Sequence, residues 1–325
     1  MNAANEYESR KKERIMHYTG TIWRPPYEAD SLILEATAGC THRACKFCTL
    51  YDELPFKFRA TDAATIESDL AEAQAWFCEL GAKAGRRLLG APAPRRCRVF
   101  LAGANPFALK PKHLLAIAEL VHEYLPACET IGCFSRVTDV SRKTDGELAA
   151  LREAGYTGLT IGMETGDDEA LAFMNKGYAS RDIVEQCARL DAAGIAYAFF
   201  YLAGVSGKGR GIEGARQTVD VCNKTSPALI CVNMLTIYKN SKLYQEILAG
   251  NWEEETEIEK YQEIKTLVEG LKIPVEFAML GASNPVMMQG RLPEQREQIA
   301  TALDRIIGEV GEEELRRYRT NLRHL

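Results

Sequence analysis

The chain has 325 residues, 46% of them hydrophobic, which is enough for a sizeable core in one large domain or two small ones. Its 40 basic and 45 acidic residues leave a net charge of −5, which argues against sequence-independent nucleic-acid binding. No apolar run approaches the about 20 residues of a membrane span, and the first eighteen residues are polar with no apolar signal region, so a cytoplasmic protein is expected.

Residues 1–30 read as an N-terminal extension. Within it, the proline pair of Trp23-Arg-Pro-Pro-Tyr27 favours an extended segment, expected over the far side or the mouth of the main fold. Ser31–Thr37 is apolar and reads as the first strand. Ile66, Leu70, Ala73, Phe77 and Leu80 then recur at helical spacing, and the Gly-, Ala-, Pro- and Arg-rich run 81–96 reads as a loop. Arg98–Ala102 is the second strand, ending in Gly103-Ala-Asn-Pro106, and Pro111–Tyr124 is a helix with proline in its first turn. Glu129–Phe134 is the third strand. Thr144-Asp-Gly-Glu147 is a capping box opening a helix that stops at Gly155. Gly158–Met163 is the fourth strand, Arg181–Ala193 a helix closed by Gly194, Ala196–Leu202 the fifth strand, Ile212–Cys222 a helix and Ala228–Leu235 the sixth strand. Beyond Ser241 the pattern turns helical and acidic. A short strand-like run, Pro274–Leu280, precedes two terminal helices rich in Glu and Arg.

Six strand–helix units whose strands are apolar throughout predict an α/β fold with a parallel sheet covered on both faces, as a barrel or an open wound sheet. In either, chemistry belongs at the carboxyl ends of the strands. Cys40-Thr-His-Arg-Ala-Cys45-Lys-Phe-Cys48 lies just beyond the first strand. The other seven cysteines are scattered singly; Cys78, Cys97, Cys187, Cys222 and Cys231 read as small core hydrophobes, and Cys128 and Cys133 as structural. In a chain without secretion signals a clustered set points to metal or catalysis. With His42 the triad makes a Cys₃His zinc set by count. Against zinc stand the absence of a second cysteine pair and the cramped position of His42 between two ligands. As ligands of a 4Fe–4S cluster, three thiolates hold three irons and leave one open.

The triad, the aromatic Phe47 and the six-unit pattern resemble the radical S-adenosylmethionine (SAM) enzymes over residues 31–240. Thr160-Ile-Gly-Met-Glu-Thr-Gly-Asp-Asp-Glu-Ala-Leu-Ala-Phe-Met-Asn-Lys-Gly-Tyr178 is similar to the fourth-strand signature of the elongator catalytic subunit, tRNA methylthiotransferases and anaerobic coproporphyrinogen oxidase-like proteins. One departure is the spacing: four residues, rather than three, separate Cys40 and Cys45.

The resemblance implies a partial (β/α)6 TIM-like barrel of parallel strands at 31–240, with a mainly helical C-terminal extension at 241–325 covering it. It implies that Cys40, Cys45 and Cys48 hold a 4Fe–4S cluster whose fourth iron takes the amino and carboxylate groups of SAM. The Phe47 backbone contacts adenine. Gly103, Ala104 and Asn105 match the turn that receives the SAM amino group, with Ala and Asn in place of the commoner Gly and Glu. Ser135 and Arg136 are candidates for the methionyl carboxylate, as is Lys176, whose other reading is a structural pair with Asp167 or Asp168. Glu164 matches the ribose-binding residue, and Leu202 to Gly204 pack beside adenine. Tyr201, Asn233, Tyr238, Lys239 and Ser283–Met288 are candidates to line the mouth.

The implied activity is reductive cleavage of SAM to a 5′-deoxyadenosyl radical that abstracts hydrogen from an organic or peptide substrate. A flavodoxin- or ferredoxin-like donor supplies the electron. A radical methyl- or methylthiotransferase is the second enzyme reading, and a zinc- or cluster-stabilised binding module the non-enzymatic one. About 30 residues before the first strand are too few for a cobalamin-binding domain, and no second cysteine cluster suggests an auxiliary centre. The acidic C-terminus disfavours methylthiotransfer to tRNA.

Overall fold

The computed structural model describes the backbone of residues 16–87 and 97–320, and the side chains of all of these except 78–87. Residues 1–15 of the extension, the side chain of Cys78 and most of the predicted loop 81–96 therefore lie outside the described residues. The strands are β1 (Leu32–Glu35), β2 (Thr37–Gly39), β3 (Phe58–Ala60), β4 (Cys97–Ala102), β5 (Cys128–Ser135), β6 (Tyr156–Glu164), β7 (Tyr197–Ala203), β8 (Leu229–Met234), β9 (Val275–Met279) and β10 (Met288–Leu292).

Eight of them form one sheet in the order β1-β4-β5-β6-β7-β8-β9-β10. Every pairing from β1 to β9 is parallel, and β10 closes the edge antiparallel. The six expected strands are all present, in the order successive crossovers dictate. The C-terminal extension is helical as expected, and it also donates β9 and β10, which continue the sheet past residue 240. Helices cover the outer face. The helix Pro111–Tyr124 buries Leu114, Ile117, Ala118 and Val121 at the i, i+3, i+4, i+7 spacing of a single face. The Thr144 capping box forms: Thr144 Oγ1 accepts from the Glu147 N–H at 3.2 Å, and Glu147 Oε2 accepts from the Thr144 N–H at 2.8 Å.

The proline-rich stretch runs from one end to the other: Trp23 packs against Ala38, Tyr51 and Leu54 near the cysteine loop, and Tyr27 and Glu28 fill the inner face. The Tyr27 hydroxyl hydrogen-bonds Thr160 of β6 at 2.8 Å, and its ring packs edge-on against Phe200 of β7. Buried Glu28 pairs with Arg98 of β4 at 2.7 Å, and Arg98 also donates to Thr130 of β5 at 3.0 Å. One short segment thus touches β4, β6 and β7, with Arg98 bridging to β5, which requires the sheet to curve around it as a partial barrel.

Two local departures matter for the site. The predicted first strand breaks at Ala36. β1 pairs with β4, whereas β2 leaves the main sheet and pairs antiparallel with β3. Both partners hold Ala36 at the switch: its N–H donates to Ala102 O, and its carbonyl accepts from Thr61 N. Secondly, the helix that begins at Ala63 continues through Gly81 to Arg87, so the first part of the predicted loop is helical. Propensity alone ends it at the glycine, a cost of only about 1 kcal/mol.

The C-terminal helix Glu257–Gly270 brings charge into the interior. Lys260, fully buried, pairs with Glu254 at 2.7 Å and Glu257 at 3.1 Å. Glu263, also fully buried, accepts from the Tyr201 hydroxyl and from the Gly204 N–H at 2.7 Å. Beside it Glu255 is buried with both carboxylate oxygens lacking hydrogen-bond partners. Burial pushes Glu255 up to about 7, and burial together with Glu255 raises Glu263 well above the carboxylate range. A raised carboxyl pKa stabilises the fold at low pH, and that stability is lost as pH climbs from the ordinary value of 4.5 through 7. The loss is about 3 kcal/mol. Glu255→Gln is therefore expected to flatten the pH dependence and to raise stability at pH 8 relative to the parent, measured by urea unfolding at pH 5 and pH 8.

Candidate active site

The cysteine loop hangs between β2 and β3 rather than on a barrel strand. Its ends are joined where the Cys40 N–H donates to Lys57 O at 3.0 Å. Within the four-residue gap, Arg43 adopts a left-handed conformation (φ +46°), and its guanidinium donates to Phe56 O at 2.6 Å and to Asp52 O and Leu54 O at 3.2 Å. This cross-bracing tightens the loop, and Cys40 Sγ accepts from the Arg43 N–H at 3.5 Å. The backbone between the second and third cysteines is fastened on both sides. Lys46 N–H donates to Met174 O at 3.0 Å, and Lys46 O accepts from Leu243 N–H at 2.8 Å. The Lys46 ammonium pairs with Glu246 at 2.7 Å.

The loop is tied to the carboxyl ends of three strands. The Thr41 N–H donates to Asn105 Oδ1 at 3.2 Å, and Asn105 Nδ2 donates to Thr41 Oγ1 at 2.7 Å and Asp139 Oδ2 at 3.0 Å. His42 Nε2 donates to Asn175 O at 2.6 Å, while Asn175 Nδ2 donates to Ala44 O at 3.2 Å. Burial lowers the His42 pKa, the Asn175 carbonyl opposing, so the ring is neutral at pH 7.

The predicted residues largely converge here. Glu164 ends β6 in a left-handed conformation (φ +65°), where the β6–β7 register slips, and pairs with buried Lys176 at 2.9 Å. This settles the Lys176 pairing as Glu164 rather than Asp167 or Asp168: Arg210 takes Asp167 at 3.1 Å, and Asp168 Oδ1 accepts from the Ser180 N–H at 2.6 Å. Burial alone would lower the Lys176 pKa; Glu164, then Tyr178 and Cys45, outweigh it and raise it. Its ammonium lies 5.7 Å from the Phe47 ring centre and 5.5 Å from that of Tyr178. Arg136, after β5, donates to the Lys176 carbonyl and lies 5.7 Å from the Tyr178 ring centre. Phe47 and Leu202 pack into one apolar cluster with buried Met174, Val205, Leu235 and Leu243.

Other predicted residues are committed within the protein. Ser135 Oγ donates to Arg136 O at 3.1 Å. Gly103 is dictated by close packing on Thr37, and Ala104 packs beside Ala38, Tyr51 and Leu54. Gly204 spends its N–H on Glu263 and abuts the Lys260 side chain. Of the candidate mouth residues, Tyr201 is fully buried against Glu263 and does not line it. Ser283 Oγ accepts from the Met234 N–H at 3.2 Å, and Asn284 donates to Val232 O at 2.9 Å, so both brace β8. Tyr238 does come near the loop, where burial and then the Cys48 thiolate raise its pKa.

Sequence reasoning missed Asp139 and Lys143. Asp139 is fully buried and accepts from Asn105 and from the Arg136 N–H at 2.9 Å. Lys143 donates to Phe107 O at 2.5 Å and Asp139 O at 3.2 Å, bracing the same turn. The signal was present: an acid three residues after the strand-ending Arg136 is the spacing at which a helix start is capped.

The donor set fits a polynuclear iron–sulfur cluster. Burial raises the Cys45 thiol and pushes Cys48 up to about 12, with Cys40 raising both. The three thiols thus sense one another. Among the described residues, however, no group of three or more His, Cys, Asp or Glu side chains could hold a single metal ion. With His42 turned onto Asn175 O, three thiolates without a fourth side chain suit a cage that takes one thiolate per iron. Two buried oxygens without protein partners, Thr37 Oγ1 and Asp139 Oδ1, flank the 103–105 turn. Such orphans cost about 1–3 kcal/mol each, and they suit a ligand carrying an ammonium group.

Lys176→Met leaves Glu164 a half-sequestered carboxylate with no cation and is expected to cost about 3–5 kcal/mol. The double variant Glu164→Gln/Lys176→Met should regain most of that loss in urea unfolding. Equal destabilisation of single and double variants would show that the ion pair is not what holds this corner.

A family model described as the Radical SAM superfamily matches residues 34–218. Among solved structures, the radical S-adenosylmethionine methyltransferase TsrM from Kitasatospora setae, with cobalamin and a [4Fe-4S] cluster bound, superposes with a TM-score of 0.51 at 17% identity, over 68% of this chain and 37% of that one. Elp3 of the archaeon Methanocaldococcus infernus, lacking its N-terminus, gives a TM-score of 0.50 at 14% identity, over 75% and 61%. This chain therefore spans less than two thirds of either, and likeness at such identity is likeness of fold. No curated protein matches.

Proposed function

The chain belongs to the radical SAM superfamily, and from that membership we propose an oxidoreductase-type enzyme acting on an unidentified organic substrate, with Cys40, Cys45 and Cys48 as ligands of a 4Fe–4S cluster. The observation that carries this reading is that the family match, residues 34–218, contains the cysteine loop and every rim residue from Phe47 to Gly204. When bound, the cluster and SAM supply one-electron cleavage of the sulfonium to a 5′-deoxyadenosyl radical able to abstract hydrogen from substrate.

The protein's own residues bind, orient and exclude water. The raised thiols must lose their protons as iron binds. Three thiolates leave one iron for SAM. The Lys46 hydrogen bonds fix the peptide that leads into Phe47, and Phe47 with Leu202 forms an apolar wall for adenine. The unpartnered oxygens of Thr37 and Asp139 beside Gly103, Ala104 and Asn105 receive the amino group. Arg136 and Lys176 face the carboxylate, and Glu164 the ribose. The buried cluster around Met174 and Leu243 keeps this side dry, as a reactive radical requires.

A one-electron donor of the flavodoxin or ferredoxin type completes the reaction. Residues 31–240 form the catalytic core, with Tyr27 and Glu28 of the N-terminal extension plugging it and β9 and β10 of the C-terminal extension continuing its sheet. Among the described residues no helix is long and apolar enough to cross a membrane, and a cytoplasmic location accords with thiols that must stay reduced. The test is anaerobic reconstitution with iron, sulfide, dithionite and SAM, reading iron content and 5′-deoxyadenosine. One zinc, no iron and no deoxyadenosine would overturn the proposal. S-adenosylhomocysteine among the products would assign a methyl-transferring branch.

A further inference from the structure

Two cysteines outside the site meet at the opposite pole of the sheet. Cys97 opens β4 and Cys128 opens β5, and they are direct partners in the parallel ladder, immediately before its register shifts. Neighbouring strands run ~4.8 Å apart, inside the roughly 4.4–6.8 Å between Cα atoms that a disulfide bridges. Both thiols are free; Cys97 is half-buried, and Cys128 is buried with its thiol donating to Thr130 O at 3.5 Å. Five strand steps, about 17 Å, separate Cys97 from the rim at Ala102, so the pair is out of reach of the cluster loop.

The pair differs in charge from the other core cysteines. Burial raises the thiols of Cys133, Cys222 and Cys231. Cys128 is instead lowered to about 7, chiefly by the hydrogen bond from Cys97 and secondarily by Thr130 and Val99 backbone contacts and nearby His122, while Cys97 is raised. Two thiols sharing one proton in this way are poised for exchange chemistry.

We infer that Cys97 and Cys128 are a redox-active dithiol, oxidised to an intramolecular disulfide by low-molecular-weight disulfides and restored by thiols. The half-buried Cys97 gives its proton to Cys128 across the shared contact and, now the thiolate, attacks one sulfur of the oxidant RSSR, forming a mixed disulfide and expelling RS⁻. Cys128 loses the shared proton to that RS⁻ and attacks the Cys97 sulfur, closing the Cys97–Cys128 bond and expelling the second RS⁻. Two protein thiols lose two electrons, RSSR gains them, and the two protons leave as two RSH. The bond staples β4 to β5, whose far ends carry Gly103–Asn105 and Ser135–Arg136.

The test equilibrates the cluster-loaded protein anaerobically across ratios of glutathione to glutathione disulfide, followed by acid quench, alkylation and peptide mapping. The expected result is a linked Cys97–Cys128 peptide lighter by two hydrogens, with two fewer free thiols and unchanged iron. In Cys128→Ser, a glutathione adduct should persist on Cys97; in Cys97→Ser, Cys128 should stay unmodified. Alkylation of both cysteines at the most oxidising ratio in the parent protein overturns the inference, as does a lasting glutathione adduct on parental Cys97. The parental map decides the matter even if a variant fails to fold.

Discussion

Cys45→Ala, reconstituted anaerobically, should form no detectable 5′-deoxyadenosine and retain little iron. Cys45 is the middle of the three proposed ligands, in a loop that offers no substitute: His42 is turned onto Asn175 O, and no other described cysteine lies in the loop beyond Cys40 and Cys48. A thiolate lost from a three-ligand cage leaves two irons open, one to solvent. The fold should survive, because the loop is fastened through main-chain bonds of Lys46 and side-chain bonds of Asn105 and Arg43 rather than through the thiol. Melting of the metal-free variant should match that of the metal-free parent. Full activity in Cys45→Ala would mean that the ligands are wrongly assigned.

Gly103→Ala acts through the backbone and should be among the most damaging single substitutions in the barrel. Gly103 has φ +127°, which side-chain-bearing residues rarely adopt. A methyl group there would overlap Thr37 Oγ1 and stand 2.5 Å from the Thr37 carbonyl oxygen. Strain and overpacking together predict a loss of about 3 kcal/mol or more. Thr37→Ala in the same chain should not restore it, since the carbonyl clash remains. Thermal unfolding of the single and double variants checks both statements, and a Gly103→Ala melting point equal to the parent's would refute them. The glycine is thus explained by strand packing on Thr37, which sets the shape of the 103–105 turn.

The repeating core was legible because it is local. Six apolar strands and their amphipathic helices each carry their own periodicity, and Gly155 and Gly194 close their helices where expected. The switch at Ala36 was not legible, because apolar residues on either side of it read as one strand whichever partner each pairs with. β10 was missed since Met288–Leu292 is exposed at every second position and carries Gly290. At the candidate site, the sequence named residues that the fold brings near one another, whereas their partners were hidden. Asn105 serves Thr41 and Asp139 across long sequence separations, and nothing in a linear pattern announces such a bond. Glu164 stood out as a charge at an apolar strand end; its pairing with Lys176, twelve residues on, required the turn at Asn175 (φ +55°) that folds the segment back.

The Tyr27–Glu28 plug has a consequence for how the chain is made. Its contacts on β6 and β7 lie more than 130 residues downstream. At about 5–20 residues per second, the plug leaves the ribosome on the order of ten seconds before Phe200 is synthesised. During that interval Glu28 already has Arg98, and Arg98 has Thr130, while Tyr27 waits for both its hydroxyl partner Thr160 and its ring partner Phe200. The plug is therefore fully seated only once β6 and β7 have both been made.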